Sequence, residues 1–225
     1  MAVELFHNDM STCSQKVRLA LAEKGIEWTG VELDLRAGDQ HQPGYLSLNA
    51  NGVVPTIRHD GTVVIESTVI NEYLEETLPE PPMLPTDPAA RAYARQWIKF
   101  VDARLFENNI QMTHVVRDVD RKQSLCREIL KMVPMLDDEL RTKSSKYFLG
   151  DDLSLVDAVM APTLRFVPVW SAILDDETWH SCTAAQAYLE RLSEHPSISK
   201  RAFAAPIGIY EDFYRAILVD GLTVP

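Results

Sequence analysis

In the first third of the chain, short stretches of alternating apolar and polar residues are followed by longer stretches with apolar residues at helical spacing. Apolar and polar residues alternate over Val3–His7, which predicts a strand. Residues 13–24 place apolar side chains at helical spacing and Gly25 follows as a stop signal, so we expect a helix there. Residues 28–35 predict a second strand. Since the three elements are joined by short links, we expect the two strands to be parallel.

A hairpin and a further helix complete this pattern. Residues 43–49 fit either a short helix or a turn. The β-rich runs VPTIRH and TVVIE are separated by Asp60 and Gly61, a pair that is typical of two-residue hairpin turns. Ser67 or Thr68 then begins a helix that carries an apolar stripe.

The proline content marks a boundary between two parts of the chain. Five prolines fall within residues 79–88, and prolines remove helix hydrogen-bond donors and stiffen the chain. We therefore expect an α/β domain over residues 1–79, a linker over residues 80–88 and an all-helical domain over residues 89–225.

Helical periodicity runs through the rest of the chain. Ser154 and Asp157 have the spacing of a capping box at the start of an apolar helix. The other helices are expected over residues 91–113, 122–140, 184–193 and 209–218.

The composition is that of a folded, acidic protein. Hydrophobic residues make up 46% and charged residues 24% of the 225 residues, which argues against disorder. The net charge is −11, and residues 1–79 hold 5 basic and 12 acidic side chains, so −7 lies in the first predicted domain. Because this charge repels a phosphate backbone, we expect no direct nucleic-acid partner.

The cysteines and the hydropathy indicate a cellular compartment. Cys13, Cys126 and Cys182 show neither a paired framework nor a zinc spacing, so we expect no metal site. We expect no nucleotide site either. The N-terminal residues lack a signal-peptide pattern, and no apolar run approaches the roughly 20 residues needed to span a bilayer. We therefore expect a cytoplasmic protein with reduced thiols and no membrane partner.

Three candidate nucleophiles, Ser11, Thr12 and Cys13, stand at the start of the first predicted helix. A helix N-terminus has unpaired N–H groups and a partial positive charge, so it stabilises an anion. Ser and Thr also cap helices routinely. From these residues alone, an anion site and a simple helix start are both open.

Four motifs, in this order, resemble the cytosolic glutathione transferase superfamily. They are STCSQKVRLALAEKG, VVPT followed by ESTVINEYLEE, the proline-rich linker, and FLGDDLSLVDAVMAP. The first is similar to the zeta-class pattern of Ser, Ser or Thr, then Cys. The resemblance covers nearly the whole chain. It implies an α/β thioredoxin-like N-terminal domain followed by an all-α C-terminal helical domain, which is the glutathione transferase fold.

The resemblance also implies a glutathione site. Val54 would offer its backbone to the cysteine part of glutathione, ahead of Pro55, which the family holds in the cis form. Glu66 and Ser67 would bind the γ-glutamyl end. A carboxylate suits its α-ammonium group, while a hydroxyl and a helix N-terminus suit its α-carboxylate.

Further candidates follow from the same resemblance. His41 and Gln42 lie in the loop that often contacts the glycine carboxylate of glutathione in the family, although an exposed loop histidine is often only solvated. The helical domain supplies the electrophile pocket in the family, and large apolar side chains at helical spacing are often core instead. In this chain they are Trp97, Phe100, Phe106, Met112, Phe166 and Trp170.

The thiol of glutathione needs activation, since it would be about 99% protonated at pH 7 if its pKa were about 9. Ser11 matches the activating serine of the zeta class, because a hydroxyl donor near a helix start favours the thiolate. Thr12 would be a supporting hydroxyl. Cys13 could instead form a mixed disulfide with glutathione, as in omega-class members.

The leading hypothesis is therefore a homodimeric enzyme that activates the glutathione thiolate for attack on a small hydrophobic electrophile. A second hypothesis is a non-catalytic partner protein of RNA polymerase. It arises because LAEKGIEW and KYFLGDDLSLVDAVMAP also resemble stringent starvation protein A, a transferase-like fold. A third hypothesis is a thiol-disulfide transferase that uses Cys13.

Overall fold

The computed structural model describes residues 2–203 and 206–223, which form two compact units. The first unit contains Met1–Pro85 together with His195–Ala205, and the second contains Thr86–Glu194 together with Pro206–Pro225. The return of a late segment to the first unit was not expected, because the sequence analysis placed everything after residue 88 in one helical domain.

The first unit is built on a mixed four-stranded sheet. Its strands are Val3–His7 (β1), Trp28–Glu32 (β2), Thr56–His59 (β3) and Thr62–Ile65 (β4), in the order β2-β1-β3-β4. β1 is parallel to β2, as predicted, and antiparallel to β3, which is antiparallel to β4. β2 ends earlier than predicted, because the chain turns where the Asp39 N–H donates to the Asp34 carbonyl at 3.2 Å.

Three helices accompany the sheet, namely Thr12–Glu23 (α1), Pro43–Leu46 (α2) and Ser67–Thr77 (α3). The second of them shows that residues 43–49 contain a short helix. The predicted hairpin is confirmed, since Asp60 and Gly61 between β3 and β4 have φ values of 48° and 87°. The Val54–Pro55 peptide bond is cis.

Helix α1 is buried on two sides. On one side it joins a core that is formed by Val3, Leu5, Val17, Leu21, Ile57, Ile70 and Leu74. On another side it contacts the helical segment Ser197–Ala202, which we call the return segment. Every residue from Ser14 to Leu21 is consequently buried. The sequence predicted one apolar face only, because a contact with so distant a segment leaves no local periodicity.

The proline-rich segment is fastened to the first unit over much of its length. Met83 and Leu84 are buried, and their N–H groups donate to the Glu75 carboxylate at 3.0 to 3.1 Å. The first helix of the second unit then begins at Pro88, after Asp87, whose side chain accepts a hydrogen bond from the Ala90 N–H.

The regular elements of the second unit are all helices within its described residues, which contain no strand. Its helices are Pro88–Phe100 (α4), Glu107–Ile110 (α5), Val119–Leu130 (α6), Val133–Arg141 (α7), Leu155–Leu164 (α8), Val167–Leu174 (α9), Thr178–Ser181 (α10), Thr183–Glu194 (α11) and Ile207–Leu218 (α12). Wider helical turns, Val101–Phe106 and Gln111–Val115, flank α5. The single helix predicted over residues 122–140 is two helices, because Pro134 cannot continue the hydrogen bonding of the preceding turn.

The predicted capping box is present at the start of α8. The Ser154 side chain accepts from the Asp157 N–H, and the Asp157 carboxylate accepts from the Ser154 N–H at 2.8 Å. The Phe148 N–H also donates to this buried carboxylate at 3.0 Å. Local sequence therefore fixes the start of the most buried helix of the unit.

One stretch differs from the hydropathy expectation. Leu155–Leu174 has 20 residues and contains an 18-residue window with a mean hydropathy of 1.2, so its length and composition would allow a membrane span. However, 83% of this window is buried inside the fold. That environment is the one of a core helix, and the stretch is divided between α8 and α9.

Candidate active site

Strand pairing brings most of the predicted residues to one end of the sheet. The register aligns Phe6 of β1 with Thr56 of β3, and Thr56 with Ile65 of β4. Next to these paired residues lie the C-terminal end of β1, the N-terminal end of β3 and the C-terminal end of β4. The predicted residues in the connections at these three strand ends are Ser11, Thr12, Cys13, Val54, Pro55, Glu66 and Ser67.

Ser11 is the N-cap of α1. Its backbone is extended, with φ −68° and ψ 117°, and its Oγ accepts a hydrogen bond from the Ser14 N–H at 3.2 Å. This bond uses a lone pair of the hydroxyl oxygen and leaves the hydroxyl hydrogen for a second partner. Ser11 is therefore a helix cap whose hydroxyl could also donate to an anion.

The neighbours of Ser11 differ in exposure. Thr12 and Cys13 are the first two residues of α1 and are half-buried. Ser14 is fully buried, and its Oγ accepts from the Asn8 N–H at 3.4 Å. Ser14 thus has a structural role, while the two preceding residues remain candidates for contact with a ligand.

Asn8 holds the loop that leads to Ser11. Its Oδ1 accepts from the Met10 N–H at 3.0 Å, and its Nδ2 donates to the Leu33 carbonyl at 3.0 Å. Its own carbonyl accepts from the Ser11 N–H at 3.1 Å. This role of Asn8 was not predicted, although asparagine after a strand is a known signal of side-chain bonding within a turn.

A buried hydrogen-bond network precedes β3. The Tyr45 hydroxyl donates to the Val53 carbonyl at 2.6 Å and lies 2.8 Å from Thr56 Oγ1. Asn49 Nδ2 donates to the same two oxygen atoms at 2.9 and 3.1 Å. Burial raises the pKa of Tyr45 above its ordinary value. The network fixes the backbone on both sides of half-buried Val54, and neither Tyr45 nor Asn49 was predicted.

Glu66 has an uncommon backbone conformation. Its φ of 69° and ψ of 113° are rare for a residue other than glycine, and such outliers cluster at functional sites. The residue is exposed and its carbonyl accepts from the Ile70 N–H at 2.8 Å, while its side chain makes no capping bond to α3. Ser67 is the first residue of α3 and is buried.

His41 lies against the chain that leads to Val54. A Cβ placed on Gly52 would stand 2.8 Å from His41 Nδ1, and Gly52 has a φ of 62°. Glycine is therefore required at position 52, because a side chain would collide with the His41 ring and because the backbone has a positive φ. Gln42 is exposed, and its side chain makes no capping bond to α2.

A further feature of this end of the sheet is its helix N-termini, each of which carries a partial positive charge. Helix α1 begins after β1 and helix α3 begins after β4, so two helix N-termini lie at the same end of the sheet. Neither helix has an acidic residue in its first turn. For metals, no suitable group of three His, Cys, Asp or Glu residues occurs within residues 2–203 and 206–223.

The candidates in the second unit divide by burial. Phe166 and Trp170 are fully buried and pack on Tyr214, with ring centroids 5.3 Å apart in both pairs. Met112 is fully buried as well. These three are core residues, whereas Trp97, Phe100 and Phe106 are half-buried.

The two cysteines of the second unit, Cys126 and Cys182, are buried. Burial raises the pKa of both thiols above the ordinary value. A thiol that stays protonated is a poor nucleophile, so inert cysteines are expected at both positions.

Comparisons with known proteins match two domains of the chain and several relatives. Residues 10–77 match the family model of the glutathione S-transferase N-terminal domain, and residues 109–196 match that of the C-terminal domain. The chain is 33% identical over 155 residues to maleylacetoacetate isomerase of Mus musculus, covering 68% of this chain and 72% of the relative. It is 32% identical over 172 residues to the stringent starvation protein A homolog of Coxiella burnetii, covering 73% of this chain and 75% of the relative.

A solved structure shows the same fold. Poplar glutathione transferase F1 superposes with a TM-score of 0.77 at 20% identity, covering 89% of this chain and 96% of that protein. The thioredoxin-like first domain and the helical second domain are thereby confirmed. Together with the two matched domains and the relatives above 30% identity, this places the chain in the glutathione S-transferase family, as one of its enzymes.

Proposed function

We propose that this enzyme binds glutathione at the end of the sheet and that Ser11 stabilises its thiolate for attack on a small electrophilic substrate. The observation that carries the proposal is the position of the Ser11 hydroxyl. It lies at the N-terminus of α1, and the capping bond from Ser14 occupies it only as an acceptor. Its hydrogen can therefore be donated to an anionic sulfur.

The other groups around this end suit the rest of the tripeptide. The backbone of Val54 would pair with the cysteine part of glutathione, held in place by the bonds of Tyr45 and Asn49 to Val53. Glu66 would bind the α-ammonium group, and Ser67 with the start of α3 would bind the α-carboxylate. His41, beside Gly52, and Gln42 are assigned to the glycine carboxylate.

The proposal is tested by calorimetry and by kinetics of Ser11→Ala. We expect glutathione binding at micromolar to low-millimolar concentrations and a loss of kcat of about 10²-fold in the variant, as when one donor to a developing anion is removed. The first electrophiles to try are maleylacetoacetate and an aryl halide. Maleylacetoacetate is chosen because the Mus musculus relative is named as its isomerase. Unchanged kinetics in Ser11→Ala would remove this residue from the mechanism.

A control is needed because Ser11→Ala also removes a helix cap, which costs about 1 kcal/mol. Asp118, in the second unit, caps α6 by accepting from the Arg121 N–H at 2.8 Å. Asp118→Ala therefore reports the effect of a lost cap alone. We expect it to lower the unfolding free energy similarly and to leave kcat unchanged.

A thiol-disulfide reaction of Cys13 is the second candidate chemistry, since this residue is half-buried at the same helix start. Its thiolate would attack a glutathionylated substrate, release the substrate thiol and hold glutathione as a mixed disulfide, which a second glutathione would reduce. Activity that is lost in Cys13→Ser and kept in Ser11→Ala would favour this chemistry over the first.

Binding to RNA polymerase is a further candidate, favoured by the likeness to the stringent starvation protein A homolog. The acidic surface of the chain would suit a basic protein surface. Absence of glutathione binding at several millimolar, together with copurification with polymerase subunits, would support this function instead.

We also propose that the chain is a cytoplasmic homodimer whose contact includes one face of α4. Arg91, Arg95 and Lys99 follow each other at four-residue intervals along a groove of about 760 Å³. Such a cationic row complements the acidic residues 1–79 of a second copy. Light scattering tests this: Arg95→Glu should lower the dimer fraction, and an unchanged mass would exclude this face.

A further inference from the structure

Arg18 is a charged side chain that the proposed chemistry does not use. It lies in the middle of α1 and its residue surface is only 3% exposed. A guanidinium group carries five N–H donors in a rigid plane and no acceptor. Because burying such a group is costly unless its donors are satisfied, its partners identify what the residue holds in place.

One side of the guanidinium holds the loop before Ser11. Nη1 donates to the Asn8 carbonyl at 3.3 Å and to Asp9 Oδ1 at 3.1 Å, and Nη2 donates to the Asp9 carbonyl at 3.1 Å. The Asn8 carbonyl is also the acceptor of the Ser11 N–H at 3.1 Å. Arg18 and the Ser11 backbone therefore share one oxygen atom.

The other side of the guanidinium holds the return segment. Nε and Nη2 donate to the carbonyl of Ala202 at 3.2 and 2.8 Å. Nη1 also lies 3.1 Å from His7 Nδ1. Since arginine only donates hydrogen bonds, His7 Nδ1 must be the acceptor. The planar group thus joins the end of β1, the loop after it and Ala202.

We propose that Arg18 is a positioning residue, which sets the place of the Ser11 hydroxyl by fixing the loop of Asn8 and Asp9 against the Ala202 carbonyl. The role rests on the proposed function of Ser11. Arg18 itself is buried and acts through the backbone. Its effect should therefore be seen in the stabilisation of the thiolate more than in the affinity for glutathione.

The test compares Arg18→Lys with Arg201→Met. Lysine keeps the positive charge but lacks the planar, forked arrangement of N–H donors of the guanidinium group. Arg201 belongs to the same return segment but contacts Glu27 at 3.3 Å and the Trp28 ring instead of the loop. In Arg18→Lys we expect a higher apparent pKa of the bound glutathione thiol, measured by the ultraviolet absorbance of the thiolate. We also expect kcat to fall by about tenfold to a hundredfold, with KM changed by less than about threefold.

Arg201→Met should leave both the thiol pKa and kcat at the parental values. The proposal is overturned if Arg18→Lys has the parental thiol pKa, or if both variants change it equally. Should Arg18→Lys not fold, Asp9→Asn weakens the same fork at a side chain that is 43% exposed. It should speed hydrogen exchange of the Ser11 amide relative to the parent protein, and unchanged exchange would again overturn the proposal.

A ligand-independent readout separates this proposal from the proposed function. Hydrogen exchange of the Ser11 amide reports its bond to the Asn8 carbonyl without glutathione. Faster exchange in Arg18→Lys than in Arg201→Met supports the positioning role even if the protein binds no glutathione, in which case only the proposed function fails. Equal protection in all forms contradicts the role, whatever the activity.

Discussion

Lys24 and Glu75 form an ion pair inside the first unit, with Nζ and Oε2 2.7 Å apart and side chains that are 0% and 7% exposed. Lys24 also donates to the carbonyls of Leu78 and Pro81, both at 2.9 Å. Since Glu75 accepts from the backbone of the proline-rich segment as well, the pair ties the end of α1 to that segment through α3.

Removing one partner should therefore be costly. We expect Lys24→Met to lower the unfolding free energy by about 3 to 5 kcal/mol, because it leaves a buried carboxylate without its counterion. Urea unfolding followed by fluorescence measures the change. The control is Arg121→Met, which breaks a pair with Glu128 that is about half exposed and should cost less than about 1 kcal/mol. Equal costs would show that burial does not strengthen the first pair.

The buried network before β3 should control glutathione binding. Tyr45→Phe removes the donor to the Val53 carbonyl, which loosens the backbone next to Val54. We expect glutathione affinity to fall several-fold with little change in kcat, and a loss of stability of about 1 to 2 kcal/mol. Calorimetry and saturation kinetics measure the two effects.

Tyr73→Phe is the matched control for that prediction. The Tyr73 hydroxyl lies 3.0 Å from His59 Nδ1, in the same unit but on a different network. The Tyr73→Phe substitution should lower the unfolding free energy by a similar amount and leave glutathione affinity unchanged. If both variants weaken binding equally, the affinity depends on general stability and not on the Val54 backbone.

His7 should make the stability depend on pH. Burial lowers the pKa of His7, the charge of Arg18 lowers it further, and Asp9 opposes them. The unfolded chain, with a pKa of about 6.5, binds a proton more readily, so this contribution is complete above about pH 6.5 and is lost as pH falls below it. We expect the unfolding free energy to decrease between about pH 7.5 and about pH 5.5, and less so in His7→Gln.

The comparison is between the pH curves of His7→Gln and of the parent protein. A His7→Gln protein whose unfolding free energy follows the parental pH curve would mean that His7 does not titrate differently in the fold.

The buried carboxylate of Asp157 should stabilise the second unit. Asp157→Asn places an amide donor where the Ser154 N–H and Phe148 N–H now donate, so at least one buried donor loses its acceptor. We expect a cost of about 2 to 4 kcal/mol, measured by thermal unfolding. Asp118→Ala, an exposed cap, should cost only about 1 kcal/mol, and a similar cost for both would contradict the buried role.

Features with local chemistry could be predicted from the sequence. The hairpin follows from Asp60 and Gly61, and the start of α8 follows from Ser154 and Asp157, because turn and cap preferences act within a few residues. Pro134 is an equally local signal, and two helices replace the single helix predicted over residues 122–140.

Features made by distant contacts could not be predicted in this way. The positive φ of Glu66 has no signature in its neighbours, and Arg18 looks like an ordinary polar position of an amphipathic helix. Its importance depends on Ala202, far along the chain, which only the folded structure brings near. For the same reason the sequence identified Ser11 but not the groups that hold it.

The return segment also sets an order of events during synthesis. Ala202 is made after most of the second unit, so a growing chain that ends near Pro85 cannot yet give Arg18 its two bonds to that carbonyl. The first unit, although it comes first from the ribosome, is completed late. A chain truncated before His195 would therefore lack a segment of its first unit as well as the last segment of its second unit.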